Sequence, residues 1–492
     1  MSYIGIDLGT SAMKLLLVGE GGEVLNVVSE GYDVEYPHPG WSQQDPEDWW
    51  RALLAGVPRL LEGHDASAVR GIGAGGQMHG LVALDAEGRV IRPCILWNDG
   101  RTEAQTRWLN EHVGRARLTR LTGNVAFAGF TAPKLLWMRE EEPELFARIA
   151  RVMLPKDYLT HRLAGVFVTD YSDASGTLLL DVEHRCWSGE MLELCGIVAS
   201  QLPRLAESAE AVGTLLPDVA RELGLPDDVV VCAGAGDNAA AAVGCGAVRP
   251  GTCNVSLGTS GTVFMPSARF RVDEANALHS FDYVDGTFHL MGCILSAASC
   301  NAWWLERVLG TDDYAGELGR VDEDRVTPDL PYFLPYLMGE RSPHNDPSAR
   351  GAFVGLRMDG TRADMTRAVL EGVSFAIRDC VEVARSEGVE VRESTLCGGG
   401  ARSELWQRML ASVLGVTLRL PQTEQGPGFG AALLAAVACG RYPSVAAAAE
   451  AVVRMRREVG PDPALVEAYD RRYQVWRELY PALRPTFGAM RG

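Results

Sequence analysis

The strongest constraint in this chain is a short turn that occurs twice. Leu8-Gly9-Thr10-Ser11 and Leu257-Gly258-Thr259-Ser260 are identical, and an offset of 249 residues relates them in a chain of 492. Each turn follows an apolar, strand-like run, residues 4–7 in one case and 253–256 in the other. A repeat at half-length with matched flanks predicts two related halves. The first half opens as a meander, with strands over residues 3–8, 14–19 and 24–29 and turns at 9–11 and 20–22. Helical periodicity follows over 102–112 and 130–146. In the second half, Asp285-Gly286 reads as the turn of a hairpin between residues 279–283 and 287–290. Thr361 is placed to cap a long helix ending near Gly388, and Ser403 another ending near Leu414. Strands and helices alternate in both halves, so the class is α/β. The break at Arg249-Pro250-Gly251 puts the expected division at 1–247 and 248–492.

Composition removes several function classes. The net charge of −18 repels polyanions, which argues against nucleic-acid or anionic-membrane partners. Only three of the 46 basic residues are lysines: Lys14, Lys134 and Lys156. None follows a glycine, so the chain holds no GxxxxGK[ST] phosphate loop. The eleven cysteines form no CxxC pair, and no apolar run reaches the length of a membrane span. The first residues carry no basic region or apolar core of a secretory signal. A reducing, cytoplasmic setting is the expectation.

A glycine turn at a strand end lets backbone N–H groups point at phosphate oxygens, and Thr and Ser add hydroxyl donors. Gly9, Thr10, Ser11 and Gly258, Thr259, Ser260 are therefore candidates for two halves of a phosphate clamp, with two ordinary hairpin turns as the plain alternative. Asp7 precedes the first turn, where a carboxylate beside phosphate needs a cation; Mg²⁺ bound through water answers this. Otherwise Asp7 starts a turn. Gly398-Gly399-Gly400-Ala401 precedes a helix and offers flat backbone to a ligand. Gly426-Pro-Gly428-Phe-Gly430 opens a further helix and is expected to wall the same pocket. Asp237, in Gly234-Ala-Gly236-Asp237-Asn238, suits a general base at a helix start, or equally a helix N-cap. Gln77-Met78-His79-Gly80 and Trp97-Asn98-Asp99-Gly100-Arg101 crowd polar groups and an aromatic ring at strand ends, as a polyol site requires.

Together these features resemble the FGGY carbohydrate kinases of the actin-like ATPase superfamily. The carriers are residues 4–11, the second turn, Gly129-Phe-Thr131-Ala-Pro-Lys134-Leu-Leu-Trp137, and Gly351-Ala-Phe353-Val-Gly355-Leu356 followed by Asp364-Met365 to Glu371. Within the family, Gln77–Gly80, residues 96–101 and residues 334–344 look most like members that phosphorylate xylulose. The resemblance implies two actin-like (ribonuclease H-like) domains, each a mixed β-sheet flanked by helices, with a cleft between. It implies ATP-dependent conversion of D-xylulose to D-xylulose 5-phosphate, with ATP and Mg²⁺ required and room for a homodimer. Asp237 would be the base and Asp7 would position the metal. Gln77, Met78, His79, Trp97, Asn98, Asp99, Arg101 and Asn238 would surround the sugar. Gly9–Ser11, Lys14 and Gly258–Ser260 would hold phosphates, and Gly399, Gly400 and Ala401 would flank adenosine. Other substrates of the family, such as ribulose, glycerol or gluconate, are the near alternative. An actin- or chaperone-like ATPase is a more distant one, and gives no reason for the two polar clusters.

Overall fold

The computed structural model describes residues 1–273 and 275–490. The N-terminal meander forms as β1 (Ser2–Leu8), β2 (Ala12–Gly19) and β3 (Val24–Gly31), antiparallel in sequence order. β4 (Val69–Gly76) lies parallel to β1 on its other side. β5 (Ala211–Thr214) and β6 (Val230–Cys232) complete the sheet in the order β5-β6-β4-β1-β2-β3. Gly73, Gly75 and Gly76 in β4 admit atoms that any side chain would displace; a Cβ on Gly73 would stand 2.2 Å from the Ala431 carbonyl oxygen.

The second half repeats this plan. β7 (Gly251–Leu257) turns through residues 258–260 into β8 (Gly261–Ser267), which pairs antiparallel with it. β9 (His279–Asp282) and β10 (Phe288–Ile294) form the expected hairpin. β11 (Val391–Cys397) runs parallel to β7, as β4 runs parallel to β1. With β12 (Thr417–Pro421) and β13 (Met455–Val459) the order is β9-β10-β8-β7-β11-β12-β13. In both sheets the repeated turn therefore joins the first strand of an antiparallel meander to the second. That shared topology is the structural content of the sequence repeat.

Six helices bear on the site. They are α1 (Thr131–Glu141), α2 (Pro155–Ala164), α3 (Asp237–Cys245), α4 (Arg362–Ser386), α5 (Glu404–Leu414) and α6 (Gly426–Ala438). Thr361 and Asp364 exchange hydrogen bonds at the start of α4, and Ser403 caps α5, as their sequence spacing demands. The helix expected over 102–112 is divided: Glu103–Trp108 is α-helical, and a wider turn follows over Leu109–Gly114. One sequence expectation is corrected by packing. The Gly426–Gly430 run does not line the pocket beside Gly399 and Gly400. Instead α6 leaves the second half and lies on β1, β4 and α3 of the first. A Cβ on Gly5 would meet the Gly428 carbonyl oxygen at 1.9 Å, and one on Gly430 would meet that of Ala240 at 1.9 Å. These glycines serve close backbone contact. Among the described residues, no helix is long and apolar enough to cross a membrane.

Candidate active site

Asp237 is placed by a run of glycines. Gly234 has φ +80, and a Cβ there would lie 2.2 Å from the Ala74 carbonyl oxygen. Ala235 and Gly236 pair with Gly75 and Gly76 at the end of β4, and the chain then turns into α3. Asp237 is the first residue inside that helix and Gly236 is its cap, so Asp237 is not the N-cap. Its carboxylate accepts hydrogen bonds from the Asn238 N–H at 2.7 Å and side-chain amide at 2.9 Å. Burial, then the neighbouring Asp7 carboxylate, push its pKa up to about 7. Asp7, at the end of β1, is raised by burial and lowered in part by Lys14, which pairs with it across β1 and β2.

Asp237 and Asn238 open into a cavity of about 240 Å³ whose other walls include Met78, His79, Trp97, Phe130 and Ser260. His79 adopts φ +70, an uncommon conformation for a non-glycine residue. Its Nδ1 lies 2.7 Å from the Gly176 carbonyl, and its own carbonyl accepts the Lys134 ammonium at 2.7 Å and the Thr131 hydroxyl at 3.0 Å. Burial lowers its pKa to about 3, so the ring is neutral. With Nδ1 donating to a carbonyl, Nε2 is left as an acceptor for a hydroxyl. Phe127, Phe130, His79, His279 and Phe281 form one aromatic wall.

A larger cavity of about 960 Å³ lies in the second half. Gly258 and Thr259 form part of its wall, with Gly399, Gly400 and Trp406. Nothing lies within 4 Å of a Cβ built on Gly399, whereas Gly400 is pressed against Leu257 and Trp406. Ser260, two residues after Gly258, lines the smaller cavity. The second turn thus stands between the two cavities.

The remaining sequence candidates are placed differently. Gln77 is buried and lines neither cavity; its amide donates to Gln44 at 3.0 Å and its carbonyl oxygen accepts the Thr10 hydroxyl at 3.2 Å. Trp97 Nε1 donates to that same hydroxyl at 3.0 Å. Thr10 thus links the first turn to both polar clusters, while Ser11 is exposed. Asp99 and Arg101 form a buried ion pair at 2.8 Å, with the guanidinium over Trp41, and neither lines either of these two cavities. Asn98 accepts the Ser42 hydroxyl at 2.6 Å. Lys14 is exposed on β2, and Ala401 faces the core beneath the glycine cluster. The pocket also holds Phe127, Thr262, His279, Met291, Cys293 and Arg341, which local sequence did not single out. Arg341 lies in the 334–344 segment that carried the resemblance, and that was its one signal.

Behind Asp237 lies a buried charge cluster. Lys156, at the start of α2, pairs with Asp157 at 2.6 Å, Asp170 at 2.9 Å and Asp173 at 3.7 Å. Burial works against the ammonium charge, but the three carboxylates hold it well above the usual lysine range. Ser172 donates to Asp170 at 2.5 Å and accepts the Gly236 N–H at 3.1 Å, so the cluster reaches the residue before Asp237.

Comparison with known proteins agrees with this geometry. The FGGY carbohydrate kinase N-terminal domain matches residues 2–244 and the C-terminal domain matches residues 253–439. A xylulose kinase of Escherichia coli K12 is 43% identical over 487 residues, 98% of this chain and 99% of that protein. One from Bacillus subtilis 168 is 37% identical over 484 residues, 98% of this chain and 97% of its own length. The crystal structure of xylulose kinase from Rhodospirillum rubrum superimposes with a TM-score of 0.91 at 30% identity, covering 99% of this chain and all of that one. Two sheets of one plan, two cavities meeting at a shared turn, matches to both family domains and near full-length relatives lead to one conclusion: the chain belongs to the FGGY family of carbohydrate kinases.

Proposed function

We propose that the protein transfers the γ-phosphoryl group of ATP to O5 of D-xylulose. The observation that carries this reading is the meeting of the two cavities at Gly258–Ser260, with Asp237 on the wall of the smaller one. The names of the full-length relatives supply the sugar.

In this reading the smaller cavity holds the sugar against the aromatic wall. The neutral His79 accepts one hydroxyl, and Asp237 faces the reacting one. Asp237 takes the hydroxyl proton as O5 forms its bond to the γ-phosphorus. The bond from that phosphorus to the bridging oxygen breaks, and ADP leaves with the electron pair. Lying between the cavities, the second turn aims backbone N–H groups at the transferred phosphoryl. Most of the rate then comes from positioning and charge, which the glycine-built loops supply with little reorganisation.

The residues fit Mg²⁺. Asp7 and Asp237 are two carboxylates close enough for one to raise the pKa of the other, and oxygen donors in that number suit an ion that keeps most of its waters. Asp7 would hold it, with phosphate oxygens completing the set. When bound, the ion neutralises phosphate charge. EDTA should therefore abolish turnover, and Mg²⁺ in excess should restore it.

The test is a panel of D-xylulose, D-ribulose, glycerol and D-gluconate, with ADP release measured by a coupled assay. D-xylulose should give the highest kcat/KM. A higher value for any other member would overturn the substrate assignment.

A further inference from the structure

Among the described residues Arg341 enters the smaller cavity with no hydrogen-bonding or ionic partner for its guanidinium, although the residue is half-buried. Its backbone, by contrast, is fixed on both sides. Glu340 Oε1 accepts the N–H of Arg341 at 2.8 Å and that of Leu295 at 2.9 Å. Ser342 N–H donates to the carbonyl of Cys293, on β10 in the same cavity wall, at 3.0 Å. Burial pushes the Glu340 carboxyl up to about 8 against the pull of the Arg341 charge, and among the described residues it makes no ion pair with the guanidinium. The Arg341 charge acts on His79 and His279, and the guanidinium lies 5.6 Å from the Phe127 ring centroid. The charge acting on Asp237 is that of Asp7. The cavity wall thus carries a carboxylate, Asp237, and a guanidinium, Arg341.

Ring chemistry says what belongs at the guanidinium. A 2-ketopentose closes to a five-membered ring only through O5 and C2. A molecule whose O5 is free to be phosphorylated is therefore open, and its C2 is a carbonyl. With O5 at Asp237, that carbonyl lies three carbon–carbon bonds away, along the cavity. A guanidinium offers only donors and a ketone oxygen only acceptor sites, so the two are complementary. An alditol puts a hydroxyl there instead. Its proton finds no acceptor on Arg341 and faces an aromatic wall, an unpaired polar group of the kind that gives sites their largest discrimination.

We infer that Arg341 is the specificity-determining residue that reads the C2 carbonyl of an open-chain 2-ketopentose. The inference rests on the pentulose reading above and adds to it the form of the sugar that is bound.

The experiment compares the wild type with Arg341→Met and Arg341→Lys. It measures kcat/KM for D-xylulose and for xylitol, which differs only at C2. It also measures calorimetric affinity for 5-deoxy-D-xylulose, which can neither cyclise nor be phosphorylated. The wild type should favour the ketose. Arg341→Met should reduce that preference by about tenfold or more, lose affinity for the deoxy sugar in parallel, and leave KM for ATP and the melting temperature unchanged. Arg341→Lys should fall between, and it decides the matter if the methionine variant does not fold. An unchanged ketose-to-alditol ratio, whatever the overall rate, overturns the inference and leaves the kinase assignment standing. A wild type that accepts both sugars equally does the same. A wild type whose best substrate is not a ketose overturns both.

Discussion

At the scale of single residues, the charged groups that matter are wholly or partly buried. Asp237 is an acid with a pKa of about 7, raised chiefly by burial. Working as a base it must be ionised, so kcat/KM should rise with pH up to about 7 and level off above. Between the unfolded pKa near 3.8 and about 7 the folded state holds the extra proton, so stability falls as pH rises through that window. Asp237→Asn should therefore lose roughly 10²–10⁴-fold in kcat yet melt at a higher temperature than the wild type at pH 8. That gain should vanish below pH 4; a lower melting temperature at pH 8 would contradict the buried, raised carboxyl. The arginine bias gives the lysines their interest. Lys134 and Lys156 are fully buried, one bonded to the His79 carbonyl and one to three carboxylates. Lys156→Met leaves those carboxylates without a cation, and calorimetry should show a loss of about 3–5 kcal/mol.

At the scale of elements, two glycine segments that look alike in sequence do opposite things. Gly430 in α6 approaches the Ala240 carbonyl of α3, and a Cβ there has 1.9 Å of room. In an exposed helix Gly→Ala is worth about 1 kcal/mol of stability. Here the sign should reverse, with Gly430→Ala costing roughly 1–3 kcal/mol or more through overpacking. Gly399, on the wall of the larger cavity proposed for the nucleotide, has nothing within 4 Å of its Cβ position. Gly399→Ala should keep the melting temperature and raise KM for ATP, because the methyl group enters the space of the ligand. Denaturation curves and ATP titrations of the two variants separate these roles. If Gly430→Ala stabilised the protein, the close helix crossing would be wrong.

At the scale of the whole molecule, an anionic protein binds an anionic nucleotide. The net charge is −18, so the long-range field opposes the approach of ATP, and in the proposed reading local N–H groups and Mg²⁺ attract it at short range. Salt screens the long-range part first. Raising ionic strength from 10 to 100 mM should therefore increase kcat/KM for ATP by a few-fold, while kcat/KM for the uncharged sugar changes little. A fall in kcat/KM for ATP over that range would mean that a positive field steers the nucleotide after all.

The sequence alone determined what is local or periodic. The two LGTS turns, the strands before them, the caps at Thr361 and Ser403 and the 285–286 hairpin all follow from neighbours within a few residues, where backbone sterics and capping hydrogen bonds act. The resemblance to the kinase family rested on such segments and carried the fold class with it. Only the tertiary structure decided what depends on distant partners. It set Asp99 and Arg101 against each other outside the walls of the smaller cavity, put Gln77 behind Thr10, and turned Gly426–Gly430 from a pocket wall into a helix crossing. It also brought Arg341 from the second half to face His79 from the first. A guanidinium reads the same in a sequence whether or not a carboxylate waits for it. What it meets is fixed by the packing of segments some 260 residues apart.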